Sequence, residues 1–252
     1  MAPADARVTK TAKVNSEFKG LLPWHSPAIH WLQTHCHSSD LQMAECAMRD
    51  IYTFGVLTGR TMKGVAAALN KTRVPWRLYW GFDSFQGLPE ESTKVVRSKT
   101  SMSQWQPGMY SSATRLGISD EHAIQERVRN FISDPSVRLI AGYYNETLRS
   151  ALVKKMRPAL FVEIDCDLYI STIQALDFML AHRLIVENTL IGYDDWSTGG
   201  KNSGEARAHW EMASKYGLRL TNLLPNHSRA IFAVRSGGQM SRKASNPRMG
   251  HQ

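Results

Sequence analysis

The sequence predicts an α/β fold, a single domain of three layers in which a mostly parallel sheet of seven strands carries helices on both faces. Three observations lead there. Short apolar runs alternate with segments whose apolar residues recur every three or four positions, the βαβ rhythm of parallel strands joined by crossover helices. A glycine turn, Phe54-Gly55-Val-Leu-Thr-Gly59, follows the first run where strand should hand over to helix. Two later runs, Phe161-Val-Glu-Ile and Leu190-Ile-Gly-Tyr, each end on aspartates, and strands of such sheets deliver whatever follows their carboxyl ends into one crevice.

Each element has its own signal. Ser26-Pro27 reads as an N-cap followed by Pro at the first helical position, opening a short helix through Trp31 and Leu32. Leu41, Ala44, Met48 and Ile51 recur at helical spacing. Ile51 to Val56 forms the first strand, and Met62, Val65, Ala66 and Leu69 make one face of the helix after Gly59. Arg77 to Phe82 is a second strand ending on Asp83, and Asp120 caps a helix carrying Ile124, Val128 and Phe131. Val137 to Ala141 is the third strand, with Leu148, Leu152 and Val153 marking the next helix. After the Phe161 strand, Ser171-x-x-Gln174 has the pattern of a capping box, with Ile173, Leu176 and Leu180 on one face. A helix with Ala206, Trp210 and Ala213 ends at Gly217, and Leu218 to Leu224 with Ala230 to Val234 close the sheet.

The stretch 88–119 breaks the rhythm. It is polar and carries Trp105, Pro107, Gly108 and Tyr110, and long insertions of this kind are lids or binding loops, so it is expected to cover the site. The domain proper is expected over 21–235, between a basic leader, 1–20, and a Gly/Ser/Asn/Pro-rich basic tail, 236–252, both disordered.

The chain of 252 residues is long enough to bury a full core. Its net charge of +9 and pI near 9.6 favour anionic partners, although part of that charge sits in the two ends. No apolar run spans a bilayer and the leader lacks the apolar centre of a secretory signal. Cys36, Cys46 and Cys166 are an odd set without Cys-x-x-Cys spacing, which argues against a disulfide framework or a zinc ribbon and for reduced thiols. A cytoplasmic protein is the expectation.

The chemistry gathers at the strand ends. Asp165 and Asp167 follow one strand and Asp194 and Asp195 the next, so their carboxylates should converge, and acids crowded together invite a hard divalent cation with oxygen ligands, Mg2+. The glycine turn matches neither G-x-G-x-x-G nor the phosphate loop, which removes the usual signatures of NAD and ATP. Glycines there let the backbone pass close to a ligand, and the N–H groups of the following helix can receive a carboxylate. Asp83 is placed to accept ribose hydroxyls, and together these features suggest an adenosine ligand without a pyrophosphate. The residues expected to hold that ligand are Gly55, Thr58, Gly59, Thr61, Asp83, Ser84 and Asp165. His30, His35 and His37 lack zinc spacing and are expected to be solvated.

Several segments, Tyr52-Thr-Phe-Gly-Val-Leu-Thr-Gly, Gly81-Phe-Asp-Ser-Phe-Gln-Gly-Leu-Pro-Glu90, Gln106-Pro-Gly-Met-Tyr110, Ile164-Asp-Cys-Asp-Leu-Tyr-Ile-Ser-Thr172 and Tyr193-Asp-Asp-Trp196, resemble the successive motifs of the macrocin O-methyltransferase (TylF/MycF-like) family. The resemblance runs from about Ile51 to Val234. It implies a Rossmann-like class I methyltransferase fold, S-adenosylmethionine as methyl donor, and Mg2+ held by Asp165, Asp194 and Asp195, with Asp83 on the ribose. Where such enzymes often carry an acid in the first strand this chain has Thr53, so the methionine end of the donor is held differently. An alcohol is a poor nucleophile until its proton is removed or its pKa lowered, and a cation on the acceptor oxygen does the latter. A base would complete the chemistry: Asp165 while coordinating, or Asp167, His209 or His227. The partner expected is a small-molecule hydroxyl acceptor, on a sugar or glycosylated natural product, with Lys94, Arg97 and Lys99 compatible with an anionic one. A homo-oligomer is compatible with all of this, and a membrane partner is not expected.

Three alternatives fit less well. Phe161-Val-Glu-Ile-Asp-x-Asp resembles the first motif of haloacid-dehalogenase-type phosphatases, but Tyr169 replaces the required Thr or Val and too little chain separates it from Asp194. A basic nucleic-acid-binding protein would need a recognition helix, zinc finger or aromatic RNP strand, and none is legible. Relatives of the fold that perform metal-dependent hydroxylation are the third.

Overall fold

β1 (Asp50–Phe54) and β4 (Ala159–Ile164) are buried at every position, so neither shows the alternation of a half-exposed strand. Both faces of the sheet are therefore covered. The computed structural model showing this describes residues 21–91, 105–198, 200, 202–225 and 227–235, and the expected leader and tail lie outside them. α1 (Ser26–Cys36) and α2 (Asp40–Ala47) precede β1, and α3 (Arg60–Lys71) lies between it and β2 (Tyr79–Asp83). α4 (Ser112–Leu116) and α5 (Glu121–Ile132) precede β3 (Val137–Ala141), and the short α6 (Tyr144–Thr147) and α7 (Ser150–Val153) precede β4. α8 (Tyr169–Ala181), β5 (Leu190–Tyr193), α9 (Gly204–Tyr216), β6 (Leu220–Asn222) and β7 (Ala230–Val234) complete the order.

One sheet results, ordered β3-β2-β1-β4-β5-β7-β6, with β1 to β5 parallel and β7 antiparallel to both its neighbours. Side chains alternate across it. Ile51 and Phe161 join α1, α3 and α5 through Ile29, Leu32, Val65, Leu69 and Val128. Tyr52, Phe54, Val162 and Ile164 join α8 and α9 through Leu176, Met179 and Met212. The chain leaves β1 for β2 and β3 on one side, then returns to place β4 on the other, so the crevice between the carboxyl ends of β1 and β4 is the topological switch point.

Several buried polar groups are satisfied in networks. Asp50 accepts Arg77 Nε and Nη2 at 2.8 and 2.7 Å, Trp80 Nε1 at 2.8 Å and the Arg157 N–H at 3.0 Å. Thr53 donates to Glu163 at 2.9 Å, and the other oxygen of Glu163 lies 2.6 Å from His25 Nε2. That pair ties the start of α1 to the strand bearing Asp165.

Several local expectations are corrected. Ile51 lies on β1 rather than on a helical face, and Leu41 and Met48 are 85% and 63% exposed, so the apolar spacing around α2 is not a core stripe. On α5 the buried residue is Ile132 while Phe131 faces outward, with the Lys63 ammonium 4.5 Å from its ring centroid. Trp210 is about half exposed, and α9 buries His209 and Met212 instead. No Ser171 capping box forms: α8 begins two residues earlier, at Tyr169, and Ser171 is buried inside it. The Glu91 carboxylate accepts the Ile170 N–H at 2.7 Å instead. The last strand pair is shorter than expected, with β6 only Leu220–Asn222. His35 is not a fully solvated side chain but stacks on Trp31 with ring centroids 4.6 Å apart.

The cysteines depart furthest from expectation. Cys36 and Cys46 form a disulfide with Cα atoms 5.9 Å apart, leaving only Cys166 free, because the turn between α1 and α2 folds the second helix back on the first. Three reduced thiols are therefore not what this chain presents, and a reducing compartment is no longer implied by its cysteines. No helix among the described residues is long and apolar enough to cross a membrane.

A bridge across so short a separation restrains the unfolded chain. Replacing both cysteines by serine should cost about 2–3 kcal/mol of stability, the chain-entropy value for a loop of roughly ten residues. Denaturant midpoints of wild type and double variant, each with and without reductant, check this; a wild-type midpoint indifferent to reductant would contradict it.

Candidate active site

Backbone contact at the switch point builds the site. Gly55 follows β1 with φ +98°, and a Cβ on it would stand 1.7 Å from the Asp165 carbonyl oxygen, so only glycine lets the exits of β1 and β4 meet. The Asp165 N–H donates to the Phe54 carbonyl at 2.9 Å, and the Asp194 N–H to the Ile164 carbonyl at 3.1 Å. A cavity of about 780 Å³ opens over these ends. Gly55, Leu57, Asp83 and Ser84 line one side, Asp165, Asp167, Asp194 and Asp195 another, and Tyr143, Tyr144 and Asn145 a third.

The acids converge as the strand ends require. Asp165, Asp194 and Asp195 each offer a carboxylate oxygen, all within 4.8 Å of one another. Burial, then the charges of Asp194, Glu163, Asp167 and Asp195, push the Asp165 carboxyl well above its ordinary range. Asp167 is pushed up to about 8, first by burial and then by its hydrogen bond with Asp195 and that residue's charge; Trp105 Nε1, donating to Asp167 at 3.0 Å, opposes the rise. Arg229 is the cation in contact with the cluster, its Nε 2.5 Å from Asp194 Oδ1. Hard oxygen ligands at this spacing fit a divalent cation such as Mg2+.

The donor side is only partly as expected. Gly55, Asp83, Ser84 and Asp165 line the cavity, whereas Thr58, Gly59 and Thr61 do not. Gly59 serves packing: at φ +77° it precedes α3, and a Cβ there would meet Val128 and Ile132 at 2.9 and 2.8 Å. Asp83 Oδ2 accepts the Val56 and Leu57 N–H groups, each at 2.7 Å, and Oδ1 accepts that of Phe85 at 2.6 Å. With about four lone-pair positions on a carboxylate, Asp83 therefore holds the glycine turn and has about one position left for a ribose hydroxyl. Ser84 shapes the next turn, donating to the Gly87 carbonyl at 2.8 Å. Thr53 is fully buried beneath the cavity and cannot stand in for a missing acid.

Neither histidine reaches the cavity. His227 is exposed on the β6–β7 connection, where its Nδ1 accepts the Arg229 N–H at 3.1 Å. His209 is enclosed by Tyr193, Trp196 and Phe232, and burial pushes its pKa down to about 3. Sequence reasoning also missed contributors. Tyr143 and Tyr144 follow β3 much as Asp83 ends β2, so the Gly142-Tyr-Tyr strand end was a readable signal. Arg229 and Glu205 carried none, since they reach the acids through tertiary packing alone.

The insertion 88–119 does border the site. Leu88, Pro89, Glu90, Trp105, Pro107, Gly108, Tyr110 and Arg115 line the cavity, while Lys94, Arg97 and Lys99 lie outside the described residues. Its base is pinched shut: the Leu88 N–H donates to the Met109 carbonyl at 2.8 Å and the Gly108 N–H to the Leu88 carbonyl at 2.9 Å. Its far end is folded structure, for α4 is capped by Ser111 and its Ala113 and Leu116 pack on the core.

This strand order, with a ligand crevice at the β1/β4 switch point, defines a class I S-adenosylmethionine-dependent methyltransferase. The family model for macrocin O-methyltransferase (TylF) matches residues 40–213, well over half of the chain, and the protein belongs to that family. It is an S-adenosylmethionine-dependent O-methyltransferase. Among solved structures it is similar to the O-methyltransferase NovP, with TM-score 0.60 and 19% identity over 84% of this chain and 81% of that one. It is also similar to CalS11, a calicheamicin methyltransferase, with TM-score 0.56 and 16% identity over 92% and 94%. No curated protein matches the chain.

The raised Asp167 carboxyl predicts a pH dependence of the cation-free fold. Below about pH 4 folded and unfolded chains both hold the proton; from there to about 8 only the folded chain keeps it, so stability falls as pH rises through that window. Asp167→Asn should make the decline shallower. Melting temperatures of both proteins across that range, in chelator, test this; parallel profiles would contradict it.

Proposed function

We propose that the protein moves the methyl group of S-adenosylmethionine to a hydroxyl of a sugar or glycosylated natural product, with Mg2+ bound beside the acceptor. The carrying observation is the set of Asp165, Asp194 and Asp195 oxygens within 4.8 Å of one another, on the wall of the cavity that also holds Gly55 and Asp83. Oxygen donors with no nitrogen or sulfur among them suit Mg2+. When bound, the ion lowers the pKa of an acceptor hydroxyl and fixes its direction of approach.

The protein's own groups supply the rest. The turn after Gly55 brings backbone close to the donor, and Asp83 fixes that turn while offering its remaining lone pair to a ribose hydroxyl. The base is Asp165 or Asp167, because these carboxylates line the cavity while His209 and His227 do not. Trp105 and Tyr110 border the same space and would exclude water from the reacting centre. Arg115 adds a cation to the wall, which supports an acceptor with an anionic group. The fold shared with a calicheamicin methyltransferase supports a natural-product acceptor, and the family favours methyl transfer over hydroxylation.

Chelation should abolish methyl transfer and leave donor binding intact, and Asp194→Ala should do the same. The measurement is mass detection of the methylated product from a panel of sugars and phenols, with and without chelator; full turnover in chelator would rule out the cation. Asp83→Ala should weaken donor binding by about 1.5–3 kcal/mol, the range for a hydrogen bond to a charged group. Calorimetry showing unchanged affinity in the folded variant would remove Asp83 from the donor site.

A further inference from the structure

We infer that Glu205 is a positioning residue that sets the spacing between the acidic loops after β4 and β5, and with it the geometry of the cation site proposed above, on which this inference rests. Glu205 sits in the first turn of α9 and is fully buried. Its Oε2 accepts the Asp195 N–H at 3.0 Å and its Oε1 the Cys166 N–H at 3.4 Å. Cys166 directly follows Asp165, so a single rigid carboxylate is bonded to the backbone of both loops that must converge. The start of α9 is also packed on the same loop: a Cβ on Gly204 would lie 3.2 Å from the Asp167 carbonyl oxygen.

The chemistry of Glu205 suits this task better than a purely structural one. Among the described residues it has no ion-pair partner, and the charges facing it are those of Asp195, Asp165 and Asp167. Burial, and then those charges, push its carboxyl well above its ordinary range. What suits it to the task is geometry: it accepts two loop amides at once, one through each oxygen, which the single oxygen of a side-chain amide in its place would not do. Small displacement of either loop would separate oxygens that now lie within 4.8 Å of one another.

The test uses the full-length protein with Mn2+ as probe, comparing wild type, Glu205→Gln and Glu205→Ala. Glutamine keeps the volume and one acceptor oxygen but turns an NH2 group toward the second amide. Both variants should bind Mn2+ about 10- to 100-fold more weakly, the usual cost of losing a residue that orients metal ligands, with donor affinity changed by less than about twofold. Turnover should show the same division, with a higher KM for Mg2+ and kcat recovered at saturating Mg2+. A folded Glu205→Gln protein that holds Mn2+ as tightly as wild type overturns the positioning role and leaves the cation reading standing. Donor and Mn2+ affinity lost in equal measure would make Glu205 a general folding residue and also overturn it. Wild-type protein that binds no Mn2+ removes the cation reading and this inference together.

Discussion

Like-charge repulsion at the shared end of β4 and β5 is the constraint around which the rest of this structure is arranged. Asp165, Asp167, Asp194 and Asp195 are delivered to one place because the two strands are parallel neighbours in register, Ile164 beside Tyr193. Nothing in the apolar layers relieves them. What holds them is mostly dipolar: the indole of Trp105 on Asp167, the Thr198 hydroxyl on Asp195 at 3.0 Å, and the guanidinium of Arg229 on Asp194. The carboxyls of Asp165 and Asp167 are raised first by burial and then by the acids around them. Proton uptake by such a cluster, or a divalent cation bound to it, would lower that repulsion.

Sheet and crevice were legible in the sequence because their physics is local. A strand buried on both faces is mostly apolar, so β1, β4 and β5 announce themselves, and acids that follow such runs lie at the carboxyl edge. Finer features depend on one-residue phase or on distant partners. Phe131 and Ile132 are adjacent, and about 100° of helical rotation decides which is core. The amide of Ile170 is met by Glu91, from far earlier in the chain, so a local capping pattern at Ser171 had no competing signal to warn against it. Gly59 looked like a ligand glycine and proved to be the place where α3 approaches α5. The histidines failed for a related reason: residue type suggests a base, but only the turn geometry shows that His227 points away while Arg229, two positions on, reaches the acids.

The interior beneath the site is unusually polar for its depth. Thr53, Glu163, Tyr79 and His25 form a hydrogen-bonded chain across β2, β1 and β4 to the start of α1, every member fully buried. Partnered groups of this kind rigidify when complete and cost heavily when one member is lost. Here the chain lies two residues below Asp165 on the same strand face. It gives the N-terminal helices, themselves closed by the disulfide, a direct mechanical connection to the floor of the cavity.

The pinched base of the insertion separates two jobs usually entangled in a binding loop. Leu88 bonds to both Gly108 and Met109 through the backbone, and the Glu91 carboxylate is fastened to the first turn of α8, so the exit and return of the chain are fixed by the residues that flank the insertion. Loop-closure entropy grows only logarithmically, each doubling of length costing about 0.6 kcal/mol. A change in the length of chain between Glu91 and Trp105, the two positions through which the insertion grips α8 and Asp167, should therefore cost the folded scaffold little.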